Sequence, residues 1–261
     1  MILFENAEKT ATPFPHFAIN GVFDPDEYRT LLDQQPSAEV WDTLSGEFQG
    51  GRRRLKGDAY KAFLAGSPAW SRFDAYVHSP AFVQSFLNVY ADDIATRAPA
   101  IMDGDWQLCD GPVPKPDGSW RSKVGAVLGR ISGNAELYVD LDFSRGETGY
   151  WNEAHADRNF RVAVILIYLC DQKEENLTGG ELVLYEKRPG ITDAQVDSRI
   201  NRFPDPSLIQ PFKEFPLRHN TGVSFLAVEN SFHGVNRITS TGGFRKFLYI
   251  AISSKTPLFW E

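Results

Sequence analysis

The feature that most constrains the fold of this chain is a change of texture at about residue 105. From there to the C-terminus it reads as short β-rich runs: "WQLCD", "KVGAVLGRI", "ELYVDLDF", "FRVAVILIYLC", "GELVLYE", "GVSFLAVE" and "FRKFLYIAIS". Clusters of Gly, Asn, Asp and Pro separate them, and β-branched and aromatic residues fill them. No helical periodicity intervenes, so a parallel βαβ arrangement is disfavoured and a two-sheet jelly roll or barrel is favoured. The run "VAVILIYLC" is the longest apolar stretch. It is far too short to span a bilayer and suits a strand buried on both faces.

Upstream of that point the sequence reads as mainly helical. "DPDEYRTLLDQQ" begins with Asp24 as N-cap, Pro25 at the first helical position and Glu27 placed to complete a capping box. "SPAWSRFDAYVH" and "SPAFVQSFLNVYADDIATRA" each open on Ser-Pro, with Ser67 and Ser79 as caps. In the second, Phe82, Phe86, Val89, Tyr90 and Ile94 recur at helical spacing, as a core-facing stripe does. At 261 residues the chain is expected to form a single domain. Residues 1–104 would form its helical support and residues 105–261 its β core. Two irregular stretches interrupt the core. Residues 110–123 are rich in Pro and Gly, and residues 187–220 form an insert that is either an active-site lid or a turn of helix packed outside.

Composition excludes several classes. With 42% hydrophobic and 13% aromatic residues the chain is not disordered. A net charge of −7 argues against general binding to nucleic acid or an anionic membrane. Two cysteines, Cys109 and Cys170, make no disulfide framework and no zinc spacing, which points to a reducing compartment. The N-terminus lacks the basic start and apolar stretch of a signal peptide, so a cytoplasmic location is expected.

Of the five histidines, only His155 is followed at i+2 by a carboxylate, Asp157. In extended backbone such a pair shares one face. The pair precedes the apolar strand, and downstream "NSFHGVNRI" places His233 just after another strand. Two histidines and a carboxylate on one metal leave three coordination positions open, the arrangement diagnostic of non-haem Fe(II) oxygenases. Each residue has a plain alternative. His155 can cap the strand, Asp157 can make an Asx turn, His233-Gly234 can be a simple turn, and His219 competes as the second imidazole.

Taken in order, His-x-Asp, an apolar strand ending Tyr-Leu, Gly-Gly-Glu-Leu, His-Gly-Val, and Arg before a last strand resemble the Fe(II)/2-oxoglutarate-dependent dioxygenases. The resemblance is to the prolyl-hydroxylase-like branch and covers roughly residues 125 to 253. It implies a mainly β protein with some α, in which a double-stranded β-helix (jelly roll, cupin-like) core carries the N-terminal helical region packed against it. It also implies Fe(II), 2-oxoglutarate and O2 as cofactors. His155, Asp157 and His233 match the iron ligands. Arg245 matches the residue holding the distal carboxylate of 2-oxoglutarate, and Tyr168 a position whose hydroxyl assists. Guanidinium suits that task, being planar, permanently charged and bidentate. The "STGG" segment lengthens the gap between His233 and Arg245 relative to the family, which leaves Lys246 as a possible substitute.

The implied activity is hydroxylation of an unactivated C–H bond with release of succinate and CO2. Related halogenases carry Gly or Ala where this chain has Asp157, so the carboxylate favours hydroxylation or another oxidation such as desaturation. The expected substrate is a small molecule, an amino acid or natural-product intermediate. A peptide side chain is the alternative, and a cupin-like isomerase or non-catalytic binder remains a reading of a different class. Trp151, Asn152 and Arg130 are candidate substrate contacts, with Tyr138 and Tyr150 as further cavity-lining candidates. "GGRRRLKG" (50–57) and "SWRSK", with Arg121 and Lys123, are basic clusters on an acidic chain. They read either as solvated loops or as a hint of an anionic substrate.

Overall fold

The structure, a computed structural model, describes residues 1–44, 51–111, 135–239 and 242–259. The "KVGAVLGRI" run, most of the 110–123 stretch, and Arg121, Lys123 and Arg130 lie outside the described residues.

Helices occupy the N-terminal part: α1 Pro25–Asp33, α2 Ala38–Asp42, α3 Gly57–Gly66, α4 Pro68–Val77, α5 Pro80–Val89, α6 Ala91–Arg97 and α7 Pro99–Met102. Asp24 caps α1 by accepting from the backbone N–H of Asp26 at 2.9 Å and Glu27 at 3.4 Å. Glu27 does not close a capping box; its carboxylate takes the N-terminal ammonium instead. Ser79 caps α5 by accepting from Phe82 N–H, whereas the Ser67 side chain makes no cap hydrogen bond. The stripe expected as one helix over 79–98 is broken at Tyr90 into α5 and α6, yet Phe82, Phe86, Tyr90 and Ile94 are all fully buried. Among the described residues, no helix is long and apolar enough to cross a membrane.

Twelve described strands follow in chain order. They are β1 Ala7–Thr10, β2 His16–Asn20, β3 Arg53–Leu55, β4 Trp106–Leu108, β5 Ala135–Gly146 and β6 Asn152–His155. The remainder are β7 Arg161–Tyr168, β8 Leu182–Lys187, β9 Ile209–Phe215, β10 Thr221–Leu226, β11 His233–Val235 and β12 Arg245–Ser254. One sheet runs β1-β2-β10-β7-β12-β5-β3 with β4 parallel beside β5, and a second runs β6-β11-β8-β9. The first three strands lie within the otherwise mainly helical residues 1–104. Proline-rich "PFPHF" hides β2, which pairs antiparallel with β10.

The sheets and helices form layers because neighbouring side chains on a strand point oppositely. On β10, Ser224 accepts a hydrogen bond from the Tyr90 hydroxyl at the α5–α6 break, 3.0 Å away. The next residue, Phe225, points to the other face, where its ring centroid lies 4.1 Å from that of His233 on the second sheet. The larger sheet is therefore covered by helices on one side and by the smaller sheet on the other. This explains why β7 reads "VAVILIY" with no alternation: from Val162 to Tyr168 every residue is buried.

Residues 187–220 are not a single irregular insert. A 3-10 turn at Asp193–Gln195 is followed by β9, which pairs with β8 from Leu182↔Phe215 to Lys187↔Ile209. The sequence conceals β9 because Pro211 and the charged pair Lys213–Glu214 interrupt its pattern. Both suit an edge strand, where an absent N–H and exposed charge are tolerated.

Candidate metal centre

The site forms where the two sheets face each other. β6 and β11 run antiparallel with His155 directly opposite His233, and their ring centroids stand 4.4 Å apart. Asp157, two residues beyond His155, brings its Oδ2 to 4.0 Å from His233 Nε2. One ligand atom from each of the three residues lies within 4.8 Å of the others.

Local hydrogen bonds fix which ring nitrogen is available. His155 Nδ1 lies 2.8 Å from Glu153 O, and His233 Nδ1 lies 3.0 Å from Ser231 O. A carbonyl can only accept, so Nδ1 carries the proton in both rings and Nε2 presents its lone pair. His233 is held in the neutral form: burial pushes its pKa down to about 4, and His155 adds to the shift while Asp157 opposes it. Asp157 Oδ2 is itself buried with no hydrogen-bond partner. A buried carboxylate oxygen without a partner is costly. The Nε2 atoms of the two imidazoles and that oxygen together fit a divalent transition metal.

A second feature lies on β12. Arg245 is fully buried. Its Nε donates to Gly180 O at 2.8 Å, and its guanidinium lies 4.1 Å from the centroid of Phe247 and 5.4 Å from that of Tyr168. Both terminal nitrogens, and the nearby Tyr168 hydroxyl, are buried without a partner. Burial pushes the Tyr168 hydroxyl up to about 12, with the positive charge of Arg245 pulling the other way. Three hydrogen-bond donors thus converge in one dry place with nothing to receive them. Tyr168 pairs with Phe247 across the sheet and Arg245 is two residues along, so the placement follows from register.

The paired glycines of "GGELVLYE" explain the anchor beneath Arg245. Gly179 and Gly180 adopt φ of +87° and +91°, and a Cβ on Gly179 would sit 2.0 Å from Arg237 O. Only glycine permits that approach, which delivers Gly180 O to the guanidinium.

The structure decides among the alternatives. Lys246 alternates to the opposite face and pairs with Glu175 at 2.6 Å, so it does not substitute for Arg245. His219 is engaged elsewhere, with Tyr28 Oη at 2.8 Å and Glu174 at 3.0 Å. Asn152 and Tyr150 line the cavity of about 190 Å³ that also contains His155, Asp157 and His233. Trp151 does not line it and instead packs under Arg237, 4.9 Å from guanidinium to ring centroid. Nor does Tyr138. Sequence reasoning did not assign Arg52, Arg54, Asp142, Arg161 and Tyr249 to this cavity, yet all five line it. A larger cavity, about 440 Å³, lies between α1 and α4 and contains none of the candidate residues.

Residues between β8 and β9 reach the segment that carries His155, Ala156 and Asp157. Arg202 Nε donates to Ala156 O at 2.8 Å, Ala156 N–H donates to Arg202 O at 2.9 Å, and the Phe203 ring stacks against His155 with centroids 6.0 Å apart.

No protein-family model matches this chain, and a search of curated proteins returns no significant match. Several solved structures are similar to it. An oxidoreductase of the 2OG-Fe(II) oxygenase family from Burkholderia pseudomallei is 12% identical at a TM-score of 0.45, covering 93% of this chain and 85% of that one. A prolyl-4-hydroxylase from Pseudomonas putida is 15% identical at 0.43, covering 91% of each. HygX from Streptomyces hygroscopicus, with nickel and 2-oxoglutarate bound, is 12% identical at 0.44, covering 99% and 87%. At these identities and scores the likeness is remote, and the side chains at 155, 157, 233, 245 and 168 carry the functional reading.

Proposed function

We propose that this chain is a non-haem Fe(II)- and 2-oxoglutarate-dependent oxygenase. Its reaction is hydroxylation of an unactivated C–H bond of a small molecule, with release of succinate and CO2. The observation that carries the reading is the buried Arg245–Tyr168 pair, whose three unpartnered donors suit one carboxylate. A metal-dependent isomerase or a simple binder has no use for such a receptor. In this reading β5, β12, β7 and β10 face β6, β11, β8 and β9 as a double-stranded β-helix, and the whole chain is one catalytic domain.

His155 and His233 supply neutral Nε2 donors and Asp157 an anionic oxygen, which together would hold Fe(II) and leave positions for 2-oxoglutarate and O2. When bound, the iron and 2-oxoglutarate supply the oxidising chemistry, coupled to decarboxylation of the keto acid. Arg245, through its two unpartnered terminal nitrogens, and Tyr168, through its hydroxyl, would hold the far carboxylate of 2-oxoglutarate. The carbonyls of Glu153 and Ser231 hold the two imidazoles in one tautomer. Arg202 and Phe203, seated on Ala156 and His155, screen the metal loop from water as a lid does.

The test is anaerobic addition of Fe(II) and 2-oxoglutarate. A visible charge-transfer band should form, vanish in His155→Ala and shift or weaken in Arg245→Ala. Admission of O2 should then release succinate. Metal binding with no band and no succinate would overturn the assignment.

A further inference from the structure

With the metal-ligand candidates set aside, the charged residues on the cavity wall are, among the described residues, Arg52, Arg54 and Arg161 against one acid, Asp142. The topology places them deliberately. In the strand order β7-β12-β5-β3, Arg161 begins β7, Tyr249 lies on β12 opposite Asp142 of β5, and Arg54 lies on β3 opposite Ser144. Arg52 and Arg54 alternate with Arg53, which turns the other way to donate to Trp41 O and Leu44 O. The basic cluster of residues 52–54 is therefore not a solvated loop: two of its three guanidinium groups face the metal cavity.

Tyr249 stands between the arginines. The Arg52 guanidinium is 5.9 Å and that of Arg161 5.8 Å from its ring centroid. Arg161 uses Nη1 alone for Asp140 and Ser253. Asp142 Oδ2 is shared, 3.1 Å from Arg54 and 3.5 Å from Arg52. Among the described residues, Arg52 otherwise donates to the neutral Ser144 hydroxyl, at 3.1 and 3.0 Å, and its 3.5 Å approach to Asp142 is a long one for an ion pair. Its side chain is 16% exposed, so water screens it poorly.

This charge is not a second copy of the Arg245 receptor. Tyr249 is four residues beyond Arg245 on β12, roughly 13 Å along an extended strand. Arg245 does not line the cavity, whereas Arg52 and Arg161 do, beside His155, Asp157 and His233.

We propose that the substrate oxidised at this centre is a small carboxylate, seated by Arg52 and Arg161 on either side of Tyr249. The proposal rests on the reading that a metal and 2-oxoglutarate occupy the site, and it names the class of molecule that joins them. Asp142 offers an acceptor within the same wall, so an amino group on the same molecule is accommodated.

The experiment uses the full chain loaded with Mn(II) and saturating 2-oxoglutarate, with both occupancies measured first. Propionate and its neutral analogue propionamide are the probes, and proton relaxation by the bound Mn(II) is the readout. Propionate protons should relax strongly and propionamide protons should not. Arg52→Gln and Arg161→Gln should each weaken propionate binding at least about tenfold, the scale of one charge-assisted hydrogen bond. Arg52→Lys should recover part of that loss. Circular dichroism reports whether Arg161→Gln still folds. If it does not, Arg52→Gln and the propionamide comparison decide the matter. Equal relaxation of the two probes, unchanged propionate binding in Arg52→Gln, or no propionate relaxation in doubly loaded protein would overturn the proposal and leave the proposed function standing. Failure to bind Mn(II) or 2-oxoglutarate at all would instead overturn the proposed function, and this assignment with it.

Discussion

Replacing Arg245 by Met should cost far more in 2-oxoglutarate affinity than in stability. In the ligand-free fold Arg245 is fully buried, anchored by one hydrogen bond to Gly180 O and by its contact with Phe247, while both terminal nitrogens lack partners. A buried cation without a carboxylate costs several kcal/mol, and apolar replacement of buried charge stabilises by about 1–4 kcal/mol in comparable cases. Against this stand the lost hydrogen bond, about 1 kcal/mol, and the lost cation–π contact, about 1 kcal/mol. The metal-free Arg245→Met protein should therefore unfold in urea with a stability between about 1 kcal/mol below and about 2 kcal/mol above the wild type. The same change removes two charge-assisted hydrogen bonds to the far carboxylate of 2-oxoglutarate, about 1.5–3 kcal/mol each. Its Kd, read by anaerobic titration of the charge-transfer band, should rise by a factor of roughly 10² to 10⁴. Arg245→Lys, a point charge without the planar fork, should fall between. A variant that is clearly destabilised yet binds 2-oxoglutarate as the wild type does would show that Arg245 is a structural residue and refute the reasoning.

Three further outcomes follow from the same geometry. His233 is neutral in the folded protein down to about pH 4, while an unfolded chain protonates it near 6.5. Between those values only the unfolded state takes the proton, so metal-free stability should fall by about 3 kcal/mol as pH drops from 6.5 to 4 and then level off; urea midpoints should show this, with a flatter profile in His233→Gln. Asp157→Gly removes the anionic ligand and should abolish most hydroxylation, measured by product formation; full activity would remove Asp157 from the ligand set. Gly179→Ala forces a Cβ against Arg237 O at positive φ and should cost at least about 2 kcal/mol in urea unfolding, more than Gly190→Ala, whose Cβ meets open space.

How much of this was legible beforehand depends on whether a residue announces its surroundings. β7 was plain, because a strand covered on both faces must be apolar throughout, and its length excluded a buried helix. The grouping of His155, Asp157 and His233 was legible because the i+2 spacing on extended backbone puts the first two on one face and the third follows a later strand. β2 and β9 were not. Each is short and interrupted or flanked by proline, and each is stabilised by pairing with a strand distant in sequence or by an edge position that tolerates charge. Helical periodicity ran through Tyr90, but the break there serves a tertiary contact, the Tyr90–Ser224 hydrogen bond, that no local pattern contains. The arginines at 52 and 54 were visible as a cluster and ambiguous in meaning. A solvated loop and the wall of a cavity share one sequence, and only the pairing of β3 with β5 separates them.

The central claim is that His155, Asp157 and His233 hold one metal ion. Electron spin-echo measurements on the Mn(II)-loaded protein test it most directly, because they report the nitrogens bound to the ion itself. Two imidazole couplings are predicted, one lost in His155→Ala, one lost in His233→Ala, and both kept in His219→Ala. Couplings that survive the first two substitutions, or disappear with His219, would contradict it.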